Sequence, residues 1–405
     1  MDMNAPKQTA DFSHLLITNA HGQPKSLLAN AITWFRRAPE YDGVLRYDSF
    51  AMRTMAAAPP PWEAGRNDFE PREWTPRDDV LAANDLQLRG LSVGVDTVQT
   101  AIETVAQDHP YHPVRDYFDG IGWDRQPRLG SLLASHFGAE PSAYTQAVGE
   151  KFMVSAVARI QAPGCKADHV PVIEGLQGIG KSRAIRTISE PWFTDEISDF
   201  GSKDAAMQMR SAWFIEISEL DAMSRSEVGR IKAFLSRTTD RFRPPYGRRV
   251  IEAPRQCVFV GSTNADSYLR DETGGRRFWP VRAGHIDLDA LARDRDQLWA
   301  EATHLYKQGT PWWLGDADIS REAARVQADR QVDDPWLAII AEHLANQCIS
   351  DTSVNELLAF PLGLKLEDWG QVEMNRVARI LRVLGFERQQ VRTDAKREWR
   401  YRCRQ

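Results

Sequence analysis

The sequence lacks most of what would mark a secreted, metal-bound or membrane-embedded protein. Only four cysteines occur in 405 residues, Cys165, Cys257, Cys348 and Cys403. They form no C-x2-C pair and have no histidine spacing that would complete a zinc set, so they read as scattered reduced thiols. No apolar run approaches the ~20 residues of a transmembrane helix, and the first residues lack the apolar stretch of a signal peptide. The expectation is a soluble, cytoplasmic protein. Nor is there an excess of positive charge: the formal net charge is −5, so any contact with nucleic acid has to come from local basic patches. With 42% apolar and 26% charged residues, the chain has an ordinary globular composition and enough length for two or three domains.

What is present centres on residues 170 to 182. Val170, Val172 and Ile173 make a short apolar run typical of a buried parallel strand. It ends at Gly175-Leu-Gln177-Gly178-Ile179-Gly180-Lys181-Ser182, a G-x4-G-K-S phosphate-binding loop. Glycines suit it because the backbone must curl with its N–H groups inward, leaving no room for Cβ atoms. A helix from about Lys181 adds its positive end to the same site. Lys181 is expected to neutralise the β and γ phosphates of ATP, and the Ser182 hydroxyl to ligate Mg²⁺.

Before this loop, residues 1 to about 25 are polar and read as a loose lead-in. Helical spacing from Ser26, strand-like alternation over 43–50, and helices near Thr75-Pro76 and from Asp96 to Gln107 follow. His109 and His112 could ligate a metal, but each precedes a proline and no acidic or thiol partner is near. The reading is a fixed linker into the next domain. A long helical pattern from Ser142 to Ala162 leads into the phosphate-loop strand.

After the loop, Ala212-Trp-Phe-Ile-Glu216-Ile-Ser-Glu219 reads as an apolar strand with acids at its end. Nucleotide hydrolysis needs a carboxylate beside the phosphate loop, to hold Mg²⁺ and polarise the attacking water, and both Glu216 and Glu219 are candidates. A second strand over 256–263 ends at Asn264, placed to orient that water or sense the γ phosphate. Arg276 and Arg277 lie on a glycine-hinged loop, where a planar guanidinium suits a transition-state clamp. Residues 237–255 hold six arginines against Asp240 and Glu252 around Pro-Pro-Tyr246-Gly. Arg243, Tyr246, Arg248 and Arg249 there fit a nucleic-acid backbone and a stacked base.

Near the C-terminus, residues 371–405 carry ten Lys or Arg against four acids. A helix over 372–384 is followed by a hairpin whose second strand, Trp399-Arg-Tyr-Arg-Cys-Arg404, alternates apolar with basic. Arg397, Arg400 and Arg402 are therefore candidate DNA contacts in a winged-helix-like module, and a basic docking surface for a protein is the alternative.

Tyr111-His-Pro-Val-Arg-Asp-Tyr117, Glu174 to Ser182, Glu216-Ile-Ser-Glu-Leu-Asp221, Arg243 to Arg248, Ser262-Thr-Asn264 and Thr273-Gly-Gly-Arg-Arg-Phe-Trp279 together resemble the virulence-associated protein E family. These are P-loop ATPases of phages and mobile islands, similar to superfamily 3 helicases within the AAA+ group. The resemblance covers residues from about His109 to Trp313 and implies an AAA+-type P-loop ATPase core (109–330); with it the chain reads as an α/β fold in which an α-rich N-terminal region (1–108) precedes that core and a winged-helix-like domain (331–405) follows it. It implies a replicative DNA helicase working as a ring, a hexamer, on single-stranded or forked DNA, with a separate primase as a candidate partner. In such a ring Lys181, Ser182 and the catalytic Glu219 come from one subunit and Arg276 or Arg277 from the next. Ser218 stands where such ATPases have Asp, which leaves metal holding open between Glu216 and Glu219. An ATP-gated origin binder or loader without unwinding activity is the rival reading.

Overall fold

The computed structural model describes residues 12–197, 205–220, 225–243, 250–269, 275–331, 334–393 and 396–403. They divide into two compact units, one ending at Arg330 and one starting at Gln331. Among them no helix is long and apolar enough to cross a membrane.

The chain starts with α1 (Leu28–Arg37), β1 (Leu45–Asp48), β2 (Arg53–Ala56), β3 (Arg72–Glu73), α2 (Pro76–Leu88), α3 (Val95–Ala106) and β4 (Pro110–Tyr111). This region is mixed rather than α-rich: its strands form a sheet in the order β3-β2-β1-β4. β1 falls within the alternation over 43–50, whereas β2, β3 and β4 are too short to show a period in sequence. The lead-in is also less loose than its polarity suggests. Asn30 is buried, accepts from the Ile17 amide (2.8 Å) and donates to the carbonyls of Ile17 (2.8 Å) and Lys25 (2.9 Å). Thr75 and Asp78 close a capping box on α2, with Pro76 at its first position.

His112 does not belong to a linker. It caps α4 (Pro113–Gly120) by accepting from the Arg115 amide, and its Nε2 lies 2.7 Å from Gln256 Oε1. Proline at the first helical position starts this helix rather than blocking it. Burial lowers the pKa of His112, leaving a neutral ring that bridges two elements instead of holding a metal.

The core follows with α5 (Leu132–Phe137), α6 (Ala143–Gln161), β5 (Val170–Glu174), α7 (Lys181–Ser189), β6 (Phe193–Thr194), α8 (Ala205–Gln208), β7 (Phe214–Ile217), α9 (Arg225–Leu235), β8 (Thr239–Phe242), β9 (Ile251–Pro254), β10 (Val258–Thr263), β11 (Phe278–Arg282), α10 (Leu288–Lys307) and α11 (Ala317–Ala328). Five strands form a parallel sheet in the order β11-β5-β10-β7-β6, and β8 and β9 form a separate antiparallel hairpin. Both sheet faces are covered, so β5, β7 and β10 are buried along their whole length, as continuous apolar runs predict. One face packs on α6, through residues such as Phe152 and Met153, and on Trp299 of α10; the other packs on Ile231 and Phe234 of α9. Phe50 of the N-terminal region joins the first of these clusters, and Arg210 donates to the carbonyls of Ala51 (2.8 Å) and Met52.

At the sheet edge His169 stacks on Trp279, ring centroids 4.0 Å apart and planes within 6°. Its Nε2 is buried without a partner, and desolvation, helped by Arg159, depresses its pKa to about 3.

The second unit runs α12 (Pro335–Asn346), β12 (Asp351–Thr352), α13 (Val354–Ala359), α14 (Gln371–Val383), β13 (Phe386–Thr393) and β14 (Lys396–Cys403). Its sheet has the order β12-β14-β13 and packs through Tyr401 and Phe386 on Leu357, Val377 and Ile380. The helix expected over 372–384 is α14, and Val372 in its first turn is 74% exposed.

Candidate functional site

The strand order reverses at β5, since the chain leaves β5 for one side of the sheet and returns on the other. The crevice beyond its carboxyl end is where an open α/β sheet accepts a ligand. Gly178 (φ +83°) and Gly180 (φ +98°) adopt left-handed backbone there. A Cβ on Gly175 would lie 2.6 Å from Ile179 Cδ1 and 3.3 Å from the Ala283 carbonyl, so only glycine fits. Gln177 is exposed on the outside of the curl. Gly180 caps α7, whose unpaired amides therefore point into the loop.

Lys181 is 8% exposed and folds over the loop. Its Nζ donates to the carbonyls of Gly175 (2.7 Å) and Leu176 (2.9 Å) and to Asn264 Oδ1 (2.8 Å). Asn264 comes from the end of β10, the direct neighbour of β5, and the Gly175 amide donates to the Thr263 carbonyl (3.3 Å). Lysine and asparagine thus meet over the loop.

Ser182 Oγ donates to Glu216 Oε1 (2.7 Å), and Ser262 Oγ donates to the same oxygen (2.6 Å). Glu216 is only 1% exposed, and its other oxygen, Oε2, is buried with no hydrogen-bond partner. A buried polar atom left unpaired costs about 1–3 kcal/mol, so it marks a place where a ligand would be gained cheaply. A hard divalent cation fits this donor set of one hydroxyl and one free carboxylate oxygen, because Mg²⁺ is held by one or two protein oxygens plus phosphates and water. The sequence reading put the carboxylate strand directly beside the phosphate loop; β10 lies between, and Glu216 reaches past Ser262 to Ser182. Glu219 lies beyond the end of β7, exposed and at φ +53°. The geometry therefore brings Glu216, not Glu219, to the Ser182 hydroxyl.

Arg277 Nε lies 3.2 Å from Asp168, and its Nη2 donates to Ser236 Oγ (3.0 Å). Arg276 beside it is exposed. Of the arginines between 237 and 255, Arg255 is not a surface cation at all. It is 2% exposed, forked onto Asp240 at 2.6 and 2.8 Å, and bonded to the Phe234 carbonyl. Arg241 pairs with Glu252 across the hairpin at 2.6 Å, and Arg243 is exposed at its outer end. Tyr246, Arg248 and Arg249 lie outside the described residues, as does the side chain of Arg397. In the second unit Arg400 bonds to Asp351 and Glu356, and Arg402 to Asp351 at 2.7 Å. Arg400 and Arg402 are thus compensated by acids from β12 and α13, which counting within 371–405 left out.

Three contributors went unassigned in the sequence. Ser262 lay inside a quoted motif but had no role; Asp168 and Asp351 carry no local signal, because only the fold brings them to their arginines. Asp240 was counted against the arginines around it, and the fold shows Arg255 to be its partner.

No curated protein matches the chain. Two solved structures of the NrS-1 C-terminal region align with it at 11% identity. The apo structure of its residues 305–718 covers 88% of this chain and 95% of that one with a TM-score of 0.46, and the A form covers 89% and 95% with 0.47. The model of the virulence-associated protein E-like domain matches residues 118–332, more than half of the sequence and a span holding the phosphate loop, Glu216, Asn264 and both loop arginines. The chain belongs to the virulence-associated protein E-like family.

Proposed function

We propose that this chain is an ATP-dependent DNA helicase or translocase serving the replication of phage or mobile-element DNA, acting as a ring on single-stranded DNA. The observation that carries the reading is the crevice beyond β5. A glycine curl, a helix N-terminus, a lysine held by an asparagine and a buried carboxylate with one open oxygen converge there. A triphosphate with its cation uses all four.

In this reading the amides of α7 and Lys181 bind the phosphates. Ser182 and Glu216 are the residues that would hold Mg²⁺, which would supply charge neutralisation to the bound phosphates. Asn264 orients the attacking water and Glu219, exposed at the mouth, polarises it. Arg276 reaches the triphosphate of a neighbouring copy, since Arg277 is engaged by Asp168 and Ser236 in its own chain. The β8–β9 hairpin, with Arg243, Tyr246, Arg248 and Arg249 at its end, grips the strand. The core is then an AAA+-type domain of the superfamily 3 kind. The helix-strand-helix-helix-strand-strand order from α12 to β14 supports a winged-helix module.

That module favours a second reading, an ATP-gated origin binder or loader that does not unwind, because a helix followed by a hairpin suits duplex DNA. Displacement of a labelled strand from a forked duplex, with ATP and Mg²⁺, separates the two. Wild type is expected to displace it and Lys181→Ala not. DNA-stimulated hydrolysis without displacement would select the loader.

A further inference from the structure

Beyond the end of α11 the chain turns, and Arg330, the last residue of the first unit, points back at the root of the phosphate loop. Its Nε donates to Glu174 Oε1 (2.9 Å) and its Nη2 to Glu174 Oε2 (3.0 Å). Glu174 is 2% exposed and immediately precedes Gly175, and the Tyr268 hydroxyl also donates to its Oε1 (2.9 Å). Both carboxylate oxygens are therefore occupied, unlike those of Glu216.

The same turn holds the two sides of the segment bearing the loop arginines. The Arg330 carbonyl accepts from the amides of Tyr268 (3.0 Å) and Leu269 (2.9 Å), which lie ahead of Arg276 and Arg277. Gln327 Nε2 donates to the carbonyl of Phe278 (2.8 Å), which follows them. One helix end is thus fastened to three places: the root of the phosphate loop, the approach to the arginines and the exit from them.

A buried ion pair is weak evidence for stability, because desolvating the two charges offsets most of their attraction. What a forked arginine–carboxylate pair supplies is fixed geometry. Neither Arg330 nor Glu174 faces the crevice opening, where Lys181 and Ser182 stand, so direct chemistry on a nucleotide is not their role.

We propose that Arg330 is a positioning residue: through Glu174 and Tyr268 it keeps the phosphate loop and the arginine-bearing segment in one register. The nucleotide held by a subunit then sets where that subunit presents Arg276. This rests on reading the crevice as an ATP site and Arg276 as reaching a neighbouring triphosphate.

The test uses the full chain with Arg330→Ala, Arg330→Lys and Glu174→Gln, each alone and combined with Arg276→Ala. Binding of a fluorescent ATP analogue with Mg²⁺ and steady-state hydrolysis are measured for each. Arg330→Ala is expected to bind the analogue within about threefold of wild type and to lose about tenfold in kcat, as misplacement without lost contacts would. Arg330→Lys, which keeps the charge without the fork, is expected to lose less. In the Arg276→Ala background neither change is expected to lower kcat further, because the residue through which they act is already gone. An equal kcat loss in both backgrounds, a loss confined to analogue affinity, or wild-type turnover would overturn the proposal. If Arg330→Ala does not fold, Arg330→Lys and Glu174→Gln keep the side-chain volume and carry the same comparison. Intact Lys181-dependent hydrolysis alongside wild-type turnover of Arg330→Ala removes this proposal alone; hydrolysis that does not depend on Lys181 removes the ATP-site reading with it.

Discussion

The crevice beyond β5 and the two arginine-rich hairpins, β8–β9 and β13–β14, both concentrate charge, but they differ in how completely that charge is answered. In the crevice a fully buried carboxylate keeps one oxygen without a hydrogen-bond partner, and a lysine is held over the glycine curl by carbonyls and an amide oxygen. In the hairpins Arg255, Arg241, Arg400 and Arg402 already have carboxylate partners within the fold. Charge density in a sequence window does not distinguish the two; the unanswered atom does. A satisfied arginine is part of the architecture until something competes for its partner, whereas an open buried oxygen has a use only when a ligand arrives.

The comparison can be sharpened first where the answered charge is deepest. Arg255→Ala leaves Asp240 buried and uncompensated, and is expected to lower the unfolding free energy by about 3–5 kcal/mol in urea titrations. A cost near that of an ordinary surface substitution would mean that Arg255 is not part of the core. In the crevice the loss should fall on chemistry instead. Lys181→Ala and Glu216→Gln are expected to reduce ATP hydrolysis by about 10²–10³-fold while leaving the melting transition in place. Glu216→Gln turning over normally would show that the open oxygen is not a metal ligand.

A third expectation concerns the unpartnered His169. Its folded pKa, about 3, lies below the value of roughly 6.5 in an unfolded chain. The neutral ring therefore contributes stability above pH 6.5 that is lost as the pH falls, about 2 kcal/mol between pH 7 and pH 5. His169→Gln should flatten that part of the stability profile; an unchanged slope would assign it to other groups. The smallest effect is expected where charge is answered at the surface. Replacing Arg400 and Arg402 with Ala should change the slope of log affinity for single-stranded DNA against log salt by less than about 1. The same change at Arg243, Arg248 and Arg249 should flatten it by about 2. Equal changes would mean that Asp351 and Glu356 release their arginines to phosphate, and the contrast between the regions would fail.

Much of the crevice was legible because its parts are local. The glycines, Lys181 and Ser182 are contiguous, and Asn264 sits at the end of an apolar run, so neighbouring residues carry the signal. Which carboxylate meets Ser182 was not legible, since the answer depends on β10 lying between β5 and β7 and on Ser262 lining the path, facts of sheet order. Of the N-terminal strands only β1 registered, within the alternation over 43–50; β2, β3 and β4, two to four residues each, were too short for a period. Asp168, Asp240 and Asp351 are ordinary acids in sequence and become partners only through long-range pairing.

The sheet order has a consequence for synthesis. The phosphate-loop strand β5 is flanked by β10 and β11, which begin 88 and 108 residues after it and leave the ribosome that much later. A nascent chain ending before β10 therefore carries the whole glycine-rich motif yet lacks both strands that flank it. The surroundings of the curl are thus completed only by pairings of high sequence separation, which form after most of the first unit has been made.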